Sequence, residues 1–367
     1  MIKLCTQDDF NKKTKGRRVI LIGAGKKAKE IVDKFNLNIG FAVDNNVKGT
    51  DSCFWSARNI SVVGWKQCIR NIKEDDILLV TPFLKYMELL KQIDVTDRMS
   101  DKDVYVYTYM YALQWDKERI EASNVPFTIT KGKTEKIPRT IHYCWFSDDP
   151  YPDKVKQCIE SWHKYCPDYE FKKWDLTNYE TENQFCREAL ESRAWAFASD
   201  YLRCDVVEKY GGIYLDTDVE LIKSLDAFLY DEGFFVFESK NGVDPGSGMG
   251  GVKGNDMLRE IREQYKDISF IKEDGTQNRV SIIEKYTSIL VKHGLKKNAQ
   301  YQIIDGIAIY PPLVLSPYSY MTGIDSRYEY TYGIHHWISA WITEEQRKEL
   351  DSRKSYLSNH PFQGGKS

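Results

Sequence analysis

Short apolar runs that close on a turn and hand over to helical periodicity occur in two separate stretches of this chain. That alternation confines it to α/β architectures built largely on parallel strands. The opening segment RRVILIGAGKKAKEIVDKF reads as strand, tight turn and helix, with Ala28, Ile31, Val32 and Phe35 recurring at helical spacing. IGFAVDN reads as a second buried strand ending at Asp44, and DDILLVTP as a later one with its own turn. The stretch SNVPFTITKGKTEKIP, from Ser123 to Pro138, carries lysines, a glycine and two prolines without periodicity, so a domain boundary is expected within it. Beyond it the alternation restarts: RTIHYCWF as a strand, YPDKVKQCIESWHKY as a helix, YEFKKWD as a strand. A chain of 367 residues exceeds one ordinary domain, which sets the expectation of two, residues 1–130 and 131–367.

Composition narrows the function. The 52 basic and 54 acidic residues balance to a net charge of -2, without the basic excess that a nucleic-acid surface needs, so no nucleic-acid partner is expected. The eight cysteines are scattered with no C-x-x-C pair and read as reduced thiols of a cytoplasmic protein. The start, MIKLCTQDDFNKK, has no apolar signal-peptide core, and no run approaches the ~18 apolar residues of a membrane span. Membrane association is expected to be peripheral at most.

The chemistry concentrates in GGIYLDTDVELI, which reads as strand, acidic turn, strand. Asp216 and Asp218 stand at i and i+2, a spacing that turns two carboxylates the same way in an extended segment, and they follow an apolar strand at the edge where open α/β sheets bind ligands. Carboxylates suit a hard divalent cation, Mn²⁺ or Mg²⁺, which neutralises a diphosphate and the charge that develops on it as a bond to it breaks. Upstream, Ala194, Phe197, Ala198, Tyr201 and Leu202 mark one apolar helical face ending at Gly211-Gly212. Asp200 and Arg203 lie off that face, and on spacing alone they read as an exposed i,i+3 ion pair.

The segment SDYLRCDVVEKYGGIYLDTDVELIKSLD, together with IPRTIHYCWF, resembles the DXD-containing glycosyltransferases that include bacterial capsule and surface-polysaccharide enzymes and fungal Golgi mannosyltransferases. It is similar, more distantly, to the clostridial glucosylating toxins. The resemblance covers roughly residues 137–341 and implies a GT-A fold, a nucleotide-sugar donor (a UDP-sugar first), a glycan or lipid-linked acceptor and retention of anomeric configuration. It further implies that Asp218 binds the metal directly and that Asp216 reaches the donor ribose or sugar and, through water, the metal. Asp200 and Arg203 would then bond the donor sugar, Trp145 would stack on its base, Tyr214 would face its pocket, and Trp341 would donate its indole N–H to the donor phosphate. In GIHHWISAW, His336 is taken as a further metal ligand with His335 and Ser339 left open, because Ser339-Ala340 departs from the Gly-Ser more frequent before that tryptophan.

In the first half, Gly23, Gly25 and Asp44 fit a dinucleotide-binding pattern, G-x-G-x-x-A followed by a ribose-binding acid. The segment resembles the small Rossmann-like domains of bacterial sugar acetyltransferases and sugar-nucleotide enzymes. Two lysines in the turn and only about 130 residues argue against a complete dehydrogenase. The expected fold is thus α/β, a small Rossmann-like parallel sheet followed by a GT-A catalytic domain. A nicotinamide-dependent sugar-nucleotide oxidoreductase and a non-catalytic sugar-binding assembly protein remain as alternatives.

Overall fold

The computed structural model of the protein describes residues 2–129, 132–338 and 344–359. The chain divides into two compact units. The first comprises Met1–Lys117, Met321–Gly323 and Ile342–Ser367, and the second Glu118–Tyr320 and Ile324–Trp341.

In the first unit, β1 (Arg18–Ile22), β2 (Asn38–Val43), β3 (Val62–Val63), β4 (Ile77–Val80) and β5 (Asp103–Val106) form a parallel sheet in the order β3-β2-β1-β4-β5. Alternation along each strand explains why the sheet is buried on both faces. Ile20, Ile22, Phe41, Val43, Leu78, Val80, Val104 and Val106 join one core, and Val19, Leu21, Ala42, Ile77, Leu79 and Tyr105 the other. The helix Glu344–Asn359 belongs to this unit, although the alternation in sequence places it with the second half. Leu357 is buried in the first of those cores, Tyr356 stacks on Tyr109 with ring centroids 5.3 Å apart, and the Tyr86 hydroxyl donates to the Glu349 carbonyl at 2.9 Å.

The second unit is built on a mixed sheet. Its strands are β6 (Thr140–Cys144), β7 (Glu170–Trp174), β8 (Gly212–Tyr214), β10 (Gly233–Ser239), β12 (Met249–Gly251), β13 (Gln302–Ile304) and β14 (Ile307–Tyr310), in the order β13-β14-β10-β12-β8-β6-β7, with β11 (Gly242–Val243) paired to β10. A separate ribbon joins β9 (Val219–Leu221) to β15 (Gly333–His335). The β6-β7 and β6-β8 pairs are parallel, whereas β12 runs antiparallel to both β8 and β10. Phe127, within the stretch read as a boundary, packs in this unit: it stacks on Tyr301 at 5.4 Å and meets Tyr330 edge-on at 5.0 Å. Those aromatic contacts bury side chains that show no periodicity in sequence.

The helix Trp195–Tyr210 departs from a one-faced reading. Ala198, Tyr201 and Leu202 are buried as their spacing requires, but so are Ser199, Arg203, Cys204, Val206, Val207 and Glu208. A helix enclosed this far is a core element, and its polar groups must find partners inside. It ends at Gly211 and Gly212, with φ of 72° and 114°. A Cβ on Gly212 would lie 2.7 Å from the Thr140 carbonyl oxygen, so only glycine lets β8 start this close to β6.

Candidate active site

Strand β8 delivers the chain to Leu215, whose amide continues the pairing by donating to the His142 carbonyl at 3.1 Å, and then to Asp216. Residues 216–219 form a turn closed by the Val219 amide on the Asp216 carbonyl at 3.0 Å. The two aspartates therefore project from corners of a turn and not from an extended strand. Strand β9 follows at once, and its register with β15 sets Val219 opposite His335. Asp218 precedes Val219 at the end of the turn, and its Oδ1 lies 3.3 Å from His335 Nε2. One ligand atom each from Asp216, Asp218 and His335 lies within 4.8 Å of the others. Two carboxylate oxygens and an imidazole nitrogen fit a divalent first-row cation with positions left open for substrate oxygens.

His336 does not share this point. Its Nε2 lies 2.8 Å from Glu220 Oε2, and its amide donates to the Asp218 carbonyl at 3.0 Å. Adjacent residues of an extended segment face opposite ways, so the ribbon that brings His335 inward turns His336 away. Next along the chain, Trp337 adopts φ 54°, uncommon for a bulky residue, and its ring stacks on that of His335 at 4.0 Å. The amide of Ile338 then donates to Asp218 Oδ2 at 2.8 Å. Ser339 and Trp341 lie outside the described residues.

Asp200 and Arg203 do form an ion pair, at 3.2 Å, but both side chains are largely enclosed, with 15% and 5% exposure. The same guanidinium nitrogen is 3.2 Å from Asp216 Oδ1, and it donates to the Ser199 hydroxyl at 3.1 Å. Arg203 thus ties the enclosed helix to the acidic turn, while its guanidinium sits 5.1 Å from the Tyr214 ring centroid. Tyr214 itself is 1% exposed, with its hydroxyl 3.3 Å from Cys144 Sγ. Trp145 follows β6 one strand over at the same edge of the sheet. It is half-buried, donates its indole N–H to the Asp149 carbonyl at 2.9 Å, and meets Tyr151 edge-on at 5.0 Å.

Electrostatics separate the acids. Burial pushes Asp200 up to about 7, against the pull of Arg203. Burial also raises Asp216, where Arg203 opposes it and the neighbouring Asp218 adds to it. At Asp218 burial is outweighed by His335 and the Ile338 amide, which hold the carboxyl below its usual range. His335 would be lowered by burial, but Asp218 and Asp244 on either side lift it to about 10.

Two features of the site have weak sequence signals. The loop DPGSG returns after β11, and its Gly246 carbonyl accepts the Asp216 amide at 3.2 Å. A Cβ on Gly246 would run into the Asp216 carboxylate, so glycine lets this loop lie against the acidic turn. Asp244, which starts the loop, faces His335. An Asp-Pro-Gly-Ser run announces a turn, but nothing local says which side chain that turn meets.

In the first unit, Gly23 (φ 100°) makes the turn after β1, and a Cβ there would lie 2.9 Å from Pro82 Cδ and Thr81 Oγ1. Gly25 caps the helix Lys26–Lys34. Asp44 accepts from the amides of Ala24 and Asn46, each at 2.8 Å, so both its oxygens serve to join two loops.

The chain is 29% identical over 151 residues to inositol phosphoceramide mannosyltransferase 3 of Schizosaccharomyces pombe, covering 39% of this chain and 41% of that protein. Mannosyltransferase 1 of the same organism is 28% identical over 123 residues, covering 30% and 36%. The chain thus spans about two fifths of the length of the curated relatives it matches. Among solved structures, the PaToxG glycosyltransferase aligns with 49% of this chain and 78% of its own, at 19% identity and a TM-score of 0.35. Residues 152–235, which hold both aspartates of the turn, Asp200 and Arg203, match the family described as a glycosyltransferase sugar-binding region containing a DXD motif. Through that region the chain is similar to the DXD-containing glycosyltransferases.

Proposed function

We propose that the second unit transfers a hexose or N-acetylhexosamine from a nucleoside-diphosphate sugar, a UDP-sugar first, to a glycan or lipid-linked acceptor, as in capsular or surface-polysaccharide synthesis. The observation that carries this reading is the convergence of Asp216, Asp218 and His335 at the carboxyl end of β8. A cation held there, Mn²⁺ or Mg²⁺, supplies charge neutralisation for the departing diphosphate. Asp218, kept ionised by its neighbours, is the direct ligand, and Asp216, shared with Arg203, serves the cation and the donor hydroxyls. Arg203 adds positive charge beside the phosphates, and Asp200 accepts from the donor sugar. Trp145, at the same sheet edge, stacks on the base. Tyr214 supports Arg203 from beneath and shapes the pocket through it.

The reading includes a GT-A arrangement of the second unit and retention of configuration by front-face return, in which the departing phosphate takes the acceptor's proton as the new bond forms. The first unit is assigned a Rossmann-like structural or docking role. A nicotinamide-dependent oxidoreductase is the weaker reading, because Asp44 already serves two backbone amides where a ribose would need it. The relatives' names as mannosyltransferases support a hexose as the transferred group. The eight cysteines are all free, which supports a reducing, cytoplasmic setting, with the membrane face as the place to meet a lipid-linked acceptor. Among the described residues no helix is long and apolar enough to cross a membrane. The test is a hydrolysis screen of UDP-, GDP- and TDP-sugars with Mn²⁺ present. Cation-dependent release of the nucleotide from one donor class supports the proposal, and no release from any of them opposes it.

A further inference from the structure

His335 lies between two carboxylates, and its surroundings decide which ring nitrogen keeps its proton when a cation takes the place of the other. On one side, Nδ1 is 3.2 Å from Asp244 Oδ2 and 3.0 Å from Ser247 Oγ. The Ser247 hydroxyl spends its own proton on Asp244 Oδ2, so its oxygen offers Nδ1 only lone pairs. Both neighbours of Nδ1 are thus acceptors, and Nδ1 is the donor. On the other side, Nε2 is 3.3 Å from Asp218 Oδ1 and belongs to the group that converges with Asp216. The Asp244 carboxylate is itself fixed, accepting from the amides of Gly246 at 3.0 Å and Ser247 at 3.2 Å, with 8% side-chain exposure.

We propose that Asp244, with Ser247, is the positioning residue of the cation centre: it holds the proton of His335 on Nδ1, so that Nε2 presents its lone pair to the cation beside Asp216 and Asp218. The proposal rests on the cation-dependent reading above and deepens it. Its consequence is selectivity. An imidazole nitrogen suits Mn²⁺ better than Mg²⁺, which prefers an all-oxygen shell, so an oriented His335 makes the centre favour Mn²⁺. An outer carboxylate that orients a ligating histidine commonly changes metal affinity by ~10–100-fold.

The test uses the full chain and Mn²⁺ or Mg²⁺ alone. Mn²⁺ binding is followed by the loss of the free-ion electron paramagnetic resonance signal, and a coordinated imidazole nitrogen by spin-echo modulation of the bound ion. Mg²⁺ affinity is read by competition. Wild-type protein is expected to bind Mn²⁺ with nitrogen modulation and in preference to Mg²⁺, and His335→Ala to lose the modulation. In Asp244→Asn, an amide N–H₂ facing Nδ1 favours the tautomer protonated on Nε2. Mn²⁺ affinity should therefore fall by about 10–100-fold, the modulation should disappear, and Mg²⁺ affinity should change much less. Equal weakening of both cations with the modulation intact would show that only charge was lost, and would overturn the assignment. Unchanged Mn²⁺ binding in Asp244→Asn would overturn it too. If that variant does not fold, Ser247→Ala decides, because it keeps the carboxylate: a severalfold loss of Mn²⁺ affinity is expected, and none overturns the proposal. Wild-type protein that binds no Mn²⁺ would overturn the underlying cation reading instead.

Discussion

Asp216 and Asp218 sit two residues apart, yet they are held differently, and substitution should expose the difference. Asp218 bonds His335 and the Ile338 amide, whereas Asp216 is pulled toward Arg203. Asp218→Asn keeps the shape and removes the charge that faces the cation, so turnover should fall by ~10²–10³ or more while circular dichroism and melting temperature stay near wild type. Asp216→Asn should also be severe, with a larger share of the loss in donor affinity. Wild-type turnover in Asp218→Asn would remove it from the chemistry. If Trp145 stacks on the donor base as proposed, that contact is equal in ground and transition states, so Trp145→Ala should raise the donor KM more than it lowers kcat. A fall in kcat at constant KM would place the indole elsewhere. At this scale the acidic turn was legible from spacing and from the strand before it. The choice of His335 over His336 was not, because it depends on the register of β9 with β15, a pairing of segments more than a hundred residues apart.

Among the elements, several strands were readable from their apolar runs: β1, β4, β6, β7 and β8 lie within the segments that announced them, and β2 begins one residue before its own. Strand β12 and the ribbon strand β15 span only Met249–Gly251 and Gly333–His335, too short for periodicity to mark them. The burial of Asp200 and Arg203 was hidden because helix patterning shows the apolar face and not what covers the opposite one. Two predictions belong here. Gly246→Ala drives a methyl group into the Asp216 carboxylate, so it should displace the DPGSG loop and reduce turnover and Mn²⁺ affinity by about tenfold or more, since misplacement near 1 Å can cost ~10²-fold. Wild-type kinetics in that variant would show that the loop's approach is not needed.

The second concerns His142 on β6, which lies wholly buried between the Trp174 indole N–H and the Gly211 carbonyl. Burial pushes its pKa down from 6.5 to about 4. The unfolded chain therefore takes up this proton first as pH falls, and stability drops from pH 6.5 toward pH 4 by up to about 3 kcal/mol. His142→Gln retains a donor and an acceptor without a proton to gain. Chemical denaturation at several pH values should show a shallower decline in the variant than in wild type over that window, and parallel curves would refute the attribution.

For the whole molecule, the restart of the alternation sets the expectation of two units, but nothing in it assigns the helix Glu344–Asn359 to the first of them. That placement depends on the stacking of Tyr356 on Tyr109 and the burial of Leu357 among residues far away in sequence. If the cation binds only the folded second unit, Mn²⁺ at a hundred times its Kd should raise the unfolding free energy by about 2.7 kcal/mol, and Asp218→Asn should lose that gain. The central claim is that the turn at Asp216 and Asp218 acts on a nucleotide sugar through a divalent cation. The most direct measurement is the rate of donor hydrolysis by the full chain in EDTA and after Mn²⁺ is restored, with Asp218→Asn alongside. No turnover is expected in EDTA, with recovery on Mn²⁺ in wild type and none in the variant; full turnover in EDTA would show that the acidic turn does not act through a cation.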